Sequence, residues 1–364
     1  MALGRLDIRA VRNLVEISLV DLQSTNIFFG DNGGGKTSVL ESIYLLGTAR
    51  SFRSARIKPV INYHANQCVV YGELLSEQGN RMSLGVSRDR QGGFEAKIAR
   101  RRVLSAAELA VQLPLQVLNA PSFDLLTETP EGRRRYLDWG VFHVEHQYNE
   151  TWRRFQKCIR QRNSLLRHGK ISAVELAGWN REFAEAGERL DTMRKAYLKQ
   201  LLPAFSRLLA RLSPGLEAME VRYRRGWDAG SPLVEALSAS EKTDREQGFT
   251  HVGPQRADLK VIAAGHDAGA TLSRGQQKLV VCALKLAQGQ VLGGERDKQC
   301  VYLVDDLPSE LDEGHCQRVC DVLGEMNSQV FLTSINRGDI LRHWPAQPPP
   351  AMFHVEHGSI ERAA

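Results

Sequence analysis

The segment Gly30-Asp31-Asn32-Gly33-Gly34-Gly35-Lys36-Thr37 constrains this chain more than any other. A loop that wraps an anion must turn successive backbone amides inward. That favours glycine where a Cβ would collide or where φ is positive. A lysine at the end of such a loop supplies positive charge to the β- and γ-phosphates of a nucleotide, and the next hydroxyl reaches Mg²⁺. The flanks agree with this reading. Ile27-Phe28-Phe29 is a buried strand that ends at Gly30, and Val39, Leu40, Ile43, Leu45 and Leu46 give a helix from Lys36 one apolar face. A helix that starts there aims its N-terminal dipole at the same anion. Strand, glycine-rich loop and helix in this order point to an α/β fold that binds ATP with Mg²⁺. All eight residues are candidate contacts, and Lys36 and Thr37 are the charged and metal-facing members.

Two further segments carry chemistry. Cys300-Val301-Tyr302-Leu303-Val304-Asp305-Asp306 is an apolar strand that ends in two carboxylates. The first is suited to the magnesium shell, and the second stands where a general base would polarise an attacking water. About thirty residues earlier, Leu272-Ser273-Arg274-Gly275-Gln276-Gln277-Lys278 leads into the apolar helix pattern Leu279, Val280, Ala283, Leu284, Leu286, Ala287. Taken alone, this is a polar helix start with Ser273 as N-cap and Gln276 at the capping-box position.

The pattern changes along the chain. Residues 5–29 read as three short strands, with Val15 to Val20 alternating apolar and polar, and 67–118 hold further strand pieces at Cys68 to Tyr71, Met82 to Val86 and Leu115 to Leu118. From about Pro130 the period becomes helical. Tyr148, Trp152, Phe155 and Ile159 form one stripe, and Leu190, Met193, Tyr197, Leu201, Phe205, Leu208 and Leu212 a second, with Pro203 inside it. His168-Gly169-Lys170 between them reads as a turn. The expected division is an ATPase head in two parts, 1–130 and 213–364, with 131–212 inserted as a short antiparallel helical arm.

Net charge is +6, from 48 Lys and Arg against 42 Asp and Glu. Residues 131–170 alone hold ten basic against four acidic side chains, an excess equal to that of the whole chain. Such a basic stretch suits phosphates, so Arg133, Arg134, Arg135, Arg153, Arg154, Lys157 and Arg160 are candidate DNA contacts. No base-reading motif accompanies them, and phosphate contact alone gives nearly sequence-independent binding. The six cysteines lack CxxC pairs and read as buried reduced thiols. No basic-then-apolar opening marks a secretory signal, and the longest apolar runs fall far short of a membrane span. The expectation is a soluble cytoplasmic chain that meets no membrane.

The order phosphate loop, Ser273 segment, double aspartate, then Ser309-Glu310-Leu311-Asp312 resembles the ABC ATPases, with their Walker A, signature, Walker B and D-loop. That resemblance implies that Ser273, Gly275 and Gln276 bind the γ-phosphate held by an opposite subunit, so that ATP joins two heads. It also puts Thr333, after Val330-Phe331-Leu332, at the switch position. Within this class Ser273 to Lys278, Leu6 to Leu14, Arg50-Ser51-Phe52-Arg53, Gly132 to Asp138 and Thr250 to Asp258 resemble the RecF family. The resemblance spans nearly the whole chain. It implies an ATP-dependent homodimer with a weak ATPase that clamps double- and single-stranded DNA at gap junctions, works with RecR- and RecO-like proteins, and helps load recombinase. There are departures. Gln255 and Ala257 stand where many members have His and Asp, and Asn119-Ala120-Pro121-Ser122-Phe123-Asp124 has no glutamine at the Q-loop, leaving Ser122 or Asp124 as substitutes.

An SMC- or Rad50-like chromosome ATPase is the alternative, but its heptads run over hundreds of residues and Rad50 carries a CxxC hook. A transporter ATPase would carry LSGGQ and lack the arm. A fused nuclease needs a metal cluster of His, Asp and Glu, and none stands outside the ATP motifs.

Overall fold

A computed structural model describes residues 1–76, 78–167, 173–216, 219–296, 299–326, 328–345 and 348–363. The chain divides into two compact units, residues Met1–Phe123 with Lys278–Ala364, and residues Asp124–Gln277. The turn expected at His168 to Lys170 lies outside the described residues.

The first unit is built from two sheets and a helix. Its antiparallel sheet contains β1 (Ala2–Val11), β2 (Leu14–Leu19), β4 (Gln67–Leu75), β5 (Arg81–Asp89), β6 (Phe94–Ile98) and β7 (Arg101–Val103), in the order β2-β1-β4-β5-β6-β7 among the described residues. The second sheet contains β3 (Thr25–Phe29), β8 (Leu115–Leu118), β12 (Val301–Val304), β13 (Gln329–Ser334), β14 (Ala351–Glu356) and β15 (Ser359–Ala363). Its order is β15-β14-β3-β13-β12-β8, parallel throughout except for β15. The strands read as apolar runs because parallel strands are covered on both faces.

Helix α1 (Lys36–Thr48) packs against both sheets, and Leu3, Leu6, Ile8, Leu40, Ile43, Leu46, Phe331 and Phe353 share one core around it. Phe28 stacks on Phe353 with ring centroids 5.0 Å apart. Helices α2 (Ala106–Gln112), α9 (Leu307–Glu310), α10 (Glu313–Glu325) and α11 (Arg337–Leu341) complete the unit. The alternation expected in 15–20 does not set the buried face of β2. Val15 is 69% exposed, and Leu14 and Leu19 are buried. As an edge strand, β2 has one neighbour, and it is covered at its two ends, Leu14 and Leu19.

The second unit contains α3 (Pro130–Val144), α4 (Tyr148–Arg167), α5 (Ala173–Leu212) and α6 (Leu233–Gln247), with β9 (Met219–Arg224), β10 (Asp258–Ala263), β11 (His266–Asp267) and α7 (Ala268–Thr271). Helices α4 and α5 are antiparallel, since Arg162 meets Asn180 while Arg154 meets Glu182 and Glu185. All seven apolar residues expected on the second stripe are buried. The first stripe is rotated from its expected face. Tyr148, Phe155, Cys158 and Leu166 point inward, and Trp152 is 39% exposed. Residues 213–277 also depart from the expected division, because they lie with the helices. Among the described residues β9, β10 and β11 form a sheet of their own, and α3 packs on β10. Helix α8 (Arg274–Arg296) begins in the second unit and continues into the first.

Candidate functional site

Parallel pairing assembles the site from three distant segments. Strand β13 lies between β3 and β12, with Thr333 opposite Phe28 and Leu332 opposite Val304. The glycine-rich loop leaves the end of β3, and Asp305 and Asp306 leave the end of β12. Loop, hydroxyl and carboxylates therefore meet at the carboxyl edge of the sheet, where open α/β sheets bind ligands.

The loop is held from several sides. Gly30 has φ 143°, and a Cβ there would stand 2.2 Å from the Val355 carbonyl oxygen, so no other residue fits. Gly35, with φ 123°, precedes the first turn of α1. The Asn13 amide, from the turn between β1 and β2, donates to the Gly34 carbonyl at 2.9 Å and accepts from the Ser38 hydroxyl at 3.1 Å. Lys36 Nζ donates to the carbonyls of Gly30 at 2.5 Å and Asp31 at 3.0 Å. Burial pushes the Lys36 ammonium below its usual range, and Asp306, Asp305 and Asp31 only partly oppose this. A buried cation of this kind is matched by a polyanion.

Thr37, Asp305, Thr333 and Asp306 form one chain of hydrogen bonds. The Thr37 hydroxyl donates to Asp305 Oδ1 at 2.9 Å, and the Thr333 hydroxyl donates to the same oxygen at 2.8 Å. Thr333 also accepts from the Asp306 backbone amide at 2.9 Å. Asp306 has φ 52°, a strained conformation for a residue with a side chain. Thr333 is 1% exposed, so its hydroxyl has no solvent to replace these partners.

These residues line a cleft of about 640 Å³ together with Arg12, Asn13, Arg53, Asn62 and Tyr63. Three of its supports escaped the sequence reading as functional residues: Asn13, Arg12 and Glu41. The Glu41 carboxylate is fully buried in α1 and binds Arg12 through two bonds of 2.8 Å, with the Ser51 hydroxyl and Arg53 also against it. A signal was present, since a carboxylate among Leu40, Ile43 and Leu45 breaks an apolar helix.

The Ser273 segment has the expected local form. The Gln276 amide donates to Ser273 Oγ at 3.3 Å, and the Ser273 amide donates to Gln276 Oε1 at 3.0 Å, a reciprocal cap at the start of α8. Ser273 and Gly275 are exposed, and a Cβ on Gly275 would meet nothing within 4 Å. At the Q-loop position, Ser122 and Asn119 bond to each other through backbone and side chain. Asp124 belongs to the second unit, 3.4 Å from Arg274.

Three of the candidate DNA contacts already have partners within the chain. Arg133 makes a two-pronged pair with Asp258 at 2.8 and 2.9 Å, and Arg134 donates to the Ala257 carbonyl at 2.6 Å. Although burial pushes the Asp258 carboxyl up, the Arg133 guanidinium leaves it below its usual range. Arg154 is tied to Glu182 and Glu185. Sequence counts cations, and tertiary structure decides which are already neutralised. Arg135, Arg153, Lys157 and Arg160 are exposed. All six cysteines are buried and free, and no cluster of metal-ligating side chains is present among the described residues.

Residues 2–352 match the sequence model of the RecF/RecN/SMC N-terminal domain. Proteins called DNA replication and repair protein RecF from Pseudomonas fluorescens and Pseudomonas aeruginosa are each 49% identical to this chain. The matches run over 360 and 362 residues, covering 99% and 100% of this chain and 98% of each relative. The chain belongs to the RecF family. A solved structure of the recombination mediator protein RecF with ATP, described in the RecFOR pathway, superposes with a TM-score of 0.89 at 24% identity. It covers 100% of this chain and 97% of its own. An SMC head bound to the C-terminal winged-helix domain of ScpA superposes at 0.61 with 14% identity, over 100% of this chain and 97% of its own. The fold of this RecF family member is therefore that of an ABC-type ATPase head. No described helix is long and apolar enough to cross a membrane.

Proposed function

We propose that the chain is an ATP-dependent DNA clamp of recombinational repair and replication restart, with slow hydrolysis as the step that releases it. The observation that carries this reading is the Thr37–Asp305–Thr333–Asp306 chain at the mouth of a glycine cradle. ATP fits the residues present. The glycines leave no Cβ where phosphate oxygens approach, and Lys36 is a buried cation in need of anionic partners. Mg²⁺ fits as well, because the Thr37 hydroxyl and the Asp305 carboxylate are hard oxygen donors. A metal held there by Thr37 and Asp305 would supply positive charge to the bound phosphates. Asp305 holds the metal-facing oxygens, Asp306 accepts the proton of the attacking water, and Thr333 fixes the two aspartates relative to each other.

Ser273, Gly275 and Gln276 serve a second copy of the chain. Their exposed helix start offers backbone amides and a hydroxyl to a triphosphate held on the partner's loop. Binding of nucleotide is then read out as a homodimer, and DNA is gripped by phosphate contacts. The names of the relatives, with DNA replication and repair and the RecFOR pathway in them, support DNA as ligand and RecR- and RecO-like mediators as partners; double- and single-stranded DNA at gap junctions is the form proposed here. Analytical sedimentation tests the scheme. ATP shifts the protein from monomer to dimer, and a gapped duplex co-sediments with the dimer. A chain that stays monomeric with saturating ATP and DNA refutes it.

A further inference from the structure

We propose that the β6–β7 hairpin at the edge of the antiparallel sheet is a phosphate-binding surface for DNA. The inference rests on the DNA-binding reading above, and it adds to that reading a surface beyond the helical residues. Residues 94–103 carry Lys97, Arg100, Arg101 and Arg102 against the single carboxylate Glu95. All four cations are exposed, and none has an ion pair or side-chain hydrogen bond among the described residues.

Geometry makes this more than a solvated charge run. Lys97 is directly opposite Arg102 in the ladder, and like charges placed so repel each other across an antiparallel pair. Elsewhere on the sheet, Asp7 is held by Arg5, Glu16 by Arg9, Glu73 by Tyr71 and Arg81, and Asp89 by the backbone amides of Gln91 and Gly93. The repulsion at the edge is therefore left for an outside anion to relieve. Gly85 is opposite Lys97 on the next strand, and a Cβ there would meet only Tyr71 at 4.0 Å. The surface beside the cations is low and open.

The turn adds a second, independent observation. Ala99 and Arg100 have φ 48° and 67°. Two-residue turns with both residues at positive φ favour glycine in the second place. The β10–β11 and β14–β15 turns follow that rule, with Gly265 and Gly358 there. In the β6–β7 turn, an arginine occupies that place in spite of the strain, and its charge stands at the apex. A nucleic acid is favoured over a protein partner, since among the described residues Leu104 is the one large apolar side chain exposed beside the hairpin, too little for the apolar centre of a protein interface. A two-stranded ribbon is also narrow enough to follow a groove of the duplex.

Fluorescence anisotropy of a gapped duplex with the full chain and ATP, titrated with KCl, tests the proposal. The triple variant Lys97→Gln, Arg101→Gln, Arg102→Gln lowers the slope of log affinity against log salt by about one for each phosphate that is no longer neutralised, roughly two to three in all. ATP turnover and ATP-driven dimerisation stay at wild-type levels. Arg100→Gly separates charge from folding, because it relieves the turn yet removes the cation at its apex. Its melting temperature holds or rises while the slope falls by about one. If wild type binds DNA and these variants keep its affinity and slope, the hairpin proposal is overturned and the clamp reading stands. If Arg135→Gln, Lys157→Gln, Arg160→Gln takes the slope and the hairpin variants do not, the surface belongs to the helices. Wild type that binds no DNA refutes both readings.

Discussion

Replacing Thr333 by valine removes one oxygen atom and changes little in volume. That oxygen donates to Asp305 at 2.8 Å and accepts the Asp306 amide at 2.9 Å, in a residue 1% exposed. Asp305 keeps its bond from Thr37, but among the described residues the Asp306 amide has Thr333 as its acceptor. Leaving a buried donor unmatched costs about 1–3 kcal/mol, and the part-buried Asp306 amide at the cleft mouth falls within the lower part of that range. For a unit of this size, about 2 kcal/mol lowers the melting temperature by roughly 4–8 °C. The chemical effect is larger than the structural one. Asp306 is held in a strained backbone conformation, and without its amide anchor the carboxylate drifts. Misplacement of a reacting group by about 1 Å can slow a step roughly a hundredfold, so ATP turnover is expected to fall tenfold to a hundredfold. The glycine loop and Lys36 are untouched, so ATP affinity measured without Mg²⁺ stays within about twofold. Thr333→Ser, which restores the hydroxyl, recovers most of the turnover. Calorimetry, nucleotide binding and phosphate release on the three proteins check this. Valine that lowers the melting temperature yet turns over ATP at the wild-type rate refutes the positioning role.

Lys36→Ala removes the cation from the cradle and abolishes ATP-driven dimerisation; a variant that still dimerises with ATP in sedimentation counts against the site. Ser273→Ala loses an N-cap, a local cost of about 1 kcal/mol, keeps ATP affinity in the monomer and blocks dimerisation and turnover; loss of ATP binding itself would show that Ser273 does not act across subunits. Arg133→Met strands Asp258, destabilises the fold by roughly 2–3 kcal/mol for this partly buried pair and lowers the melting temperature, while the salt slope of DNA binding stays at the wild-type value; a lower slope with unchanged melting returns Arg133 to the DNA surface. Burial pushes the Cys68 thiol up to about 11 and the Cys282 thiol to about 12, so both resist a thiol reagent at pH 8 until the chain unfolds. The folded state holds these protons after the unfolded chain has released them, so stability falls as pH rises from about 9 towards 11–12. Rapid labelling of all six thiols in the native protein contradicts that.

Much of the site was legible because its chemistry is local. The spacing of Gly30 to Thr37 carries its own backbone requirement, and the strand before it and helix after it follow from short-range periodicity. The double aspartate reads in the same way, as an apolar strand with charged ends. The reciprocal cap of Ser273 and Gln276 is a four-residue event, and it forms as the spacing says. The helices from 130 to 212 declare themselves by period, although α4 turns a face that includes Cys158 rather than Trp152 inward. Trp152 counts as apolar in a pattern, while packing against α5 selected Cys158 and the paired Arg162 instead.

Long-range relations were not legible. Nothing near Thr333 announces that β13 is inserted between β3 and β12, which gives the hydroxyl two aspartates to hold. Glu41 and Arg12 are 29 residues apart and become partners only when α1 is buried between two sheets. Arg133 and Arg135 look alike in the chain, yet Asp258, 125 residues on, neutralises the first and leaves the second in solvent. The boundary at 277 shows the same limit, because the strands after 213 carry no mark of the sheet they join. Sequence by itself determined the phosphate loop, the order of the motifs and the kinds of element, since each depends on residues within a turn or two of one another. Tertiary structure alone decided which charges remain free, which hydroxyl joins the two carboxylates, and which strands share a sheet. Those outcomes depend on pairings between distant segments, and their energy exists only after the chain has closed around them.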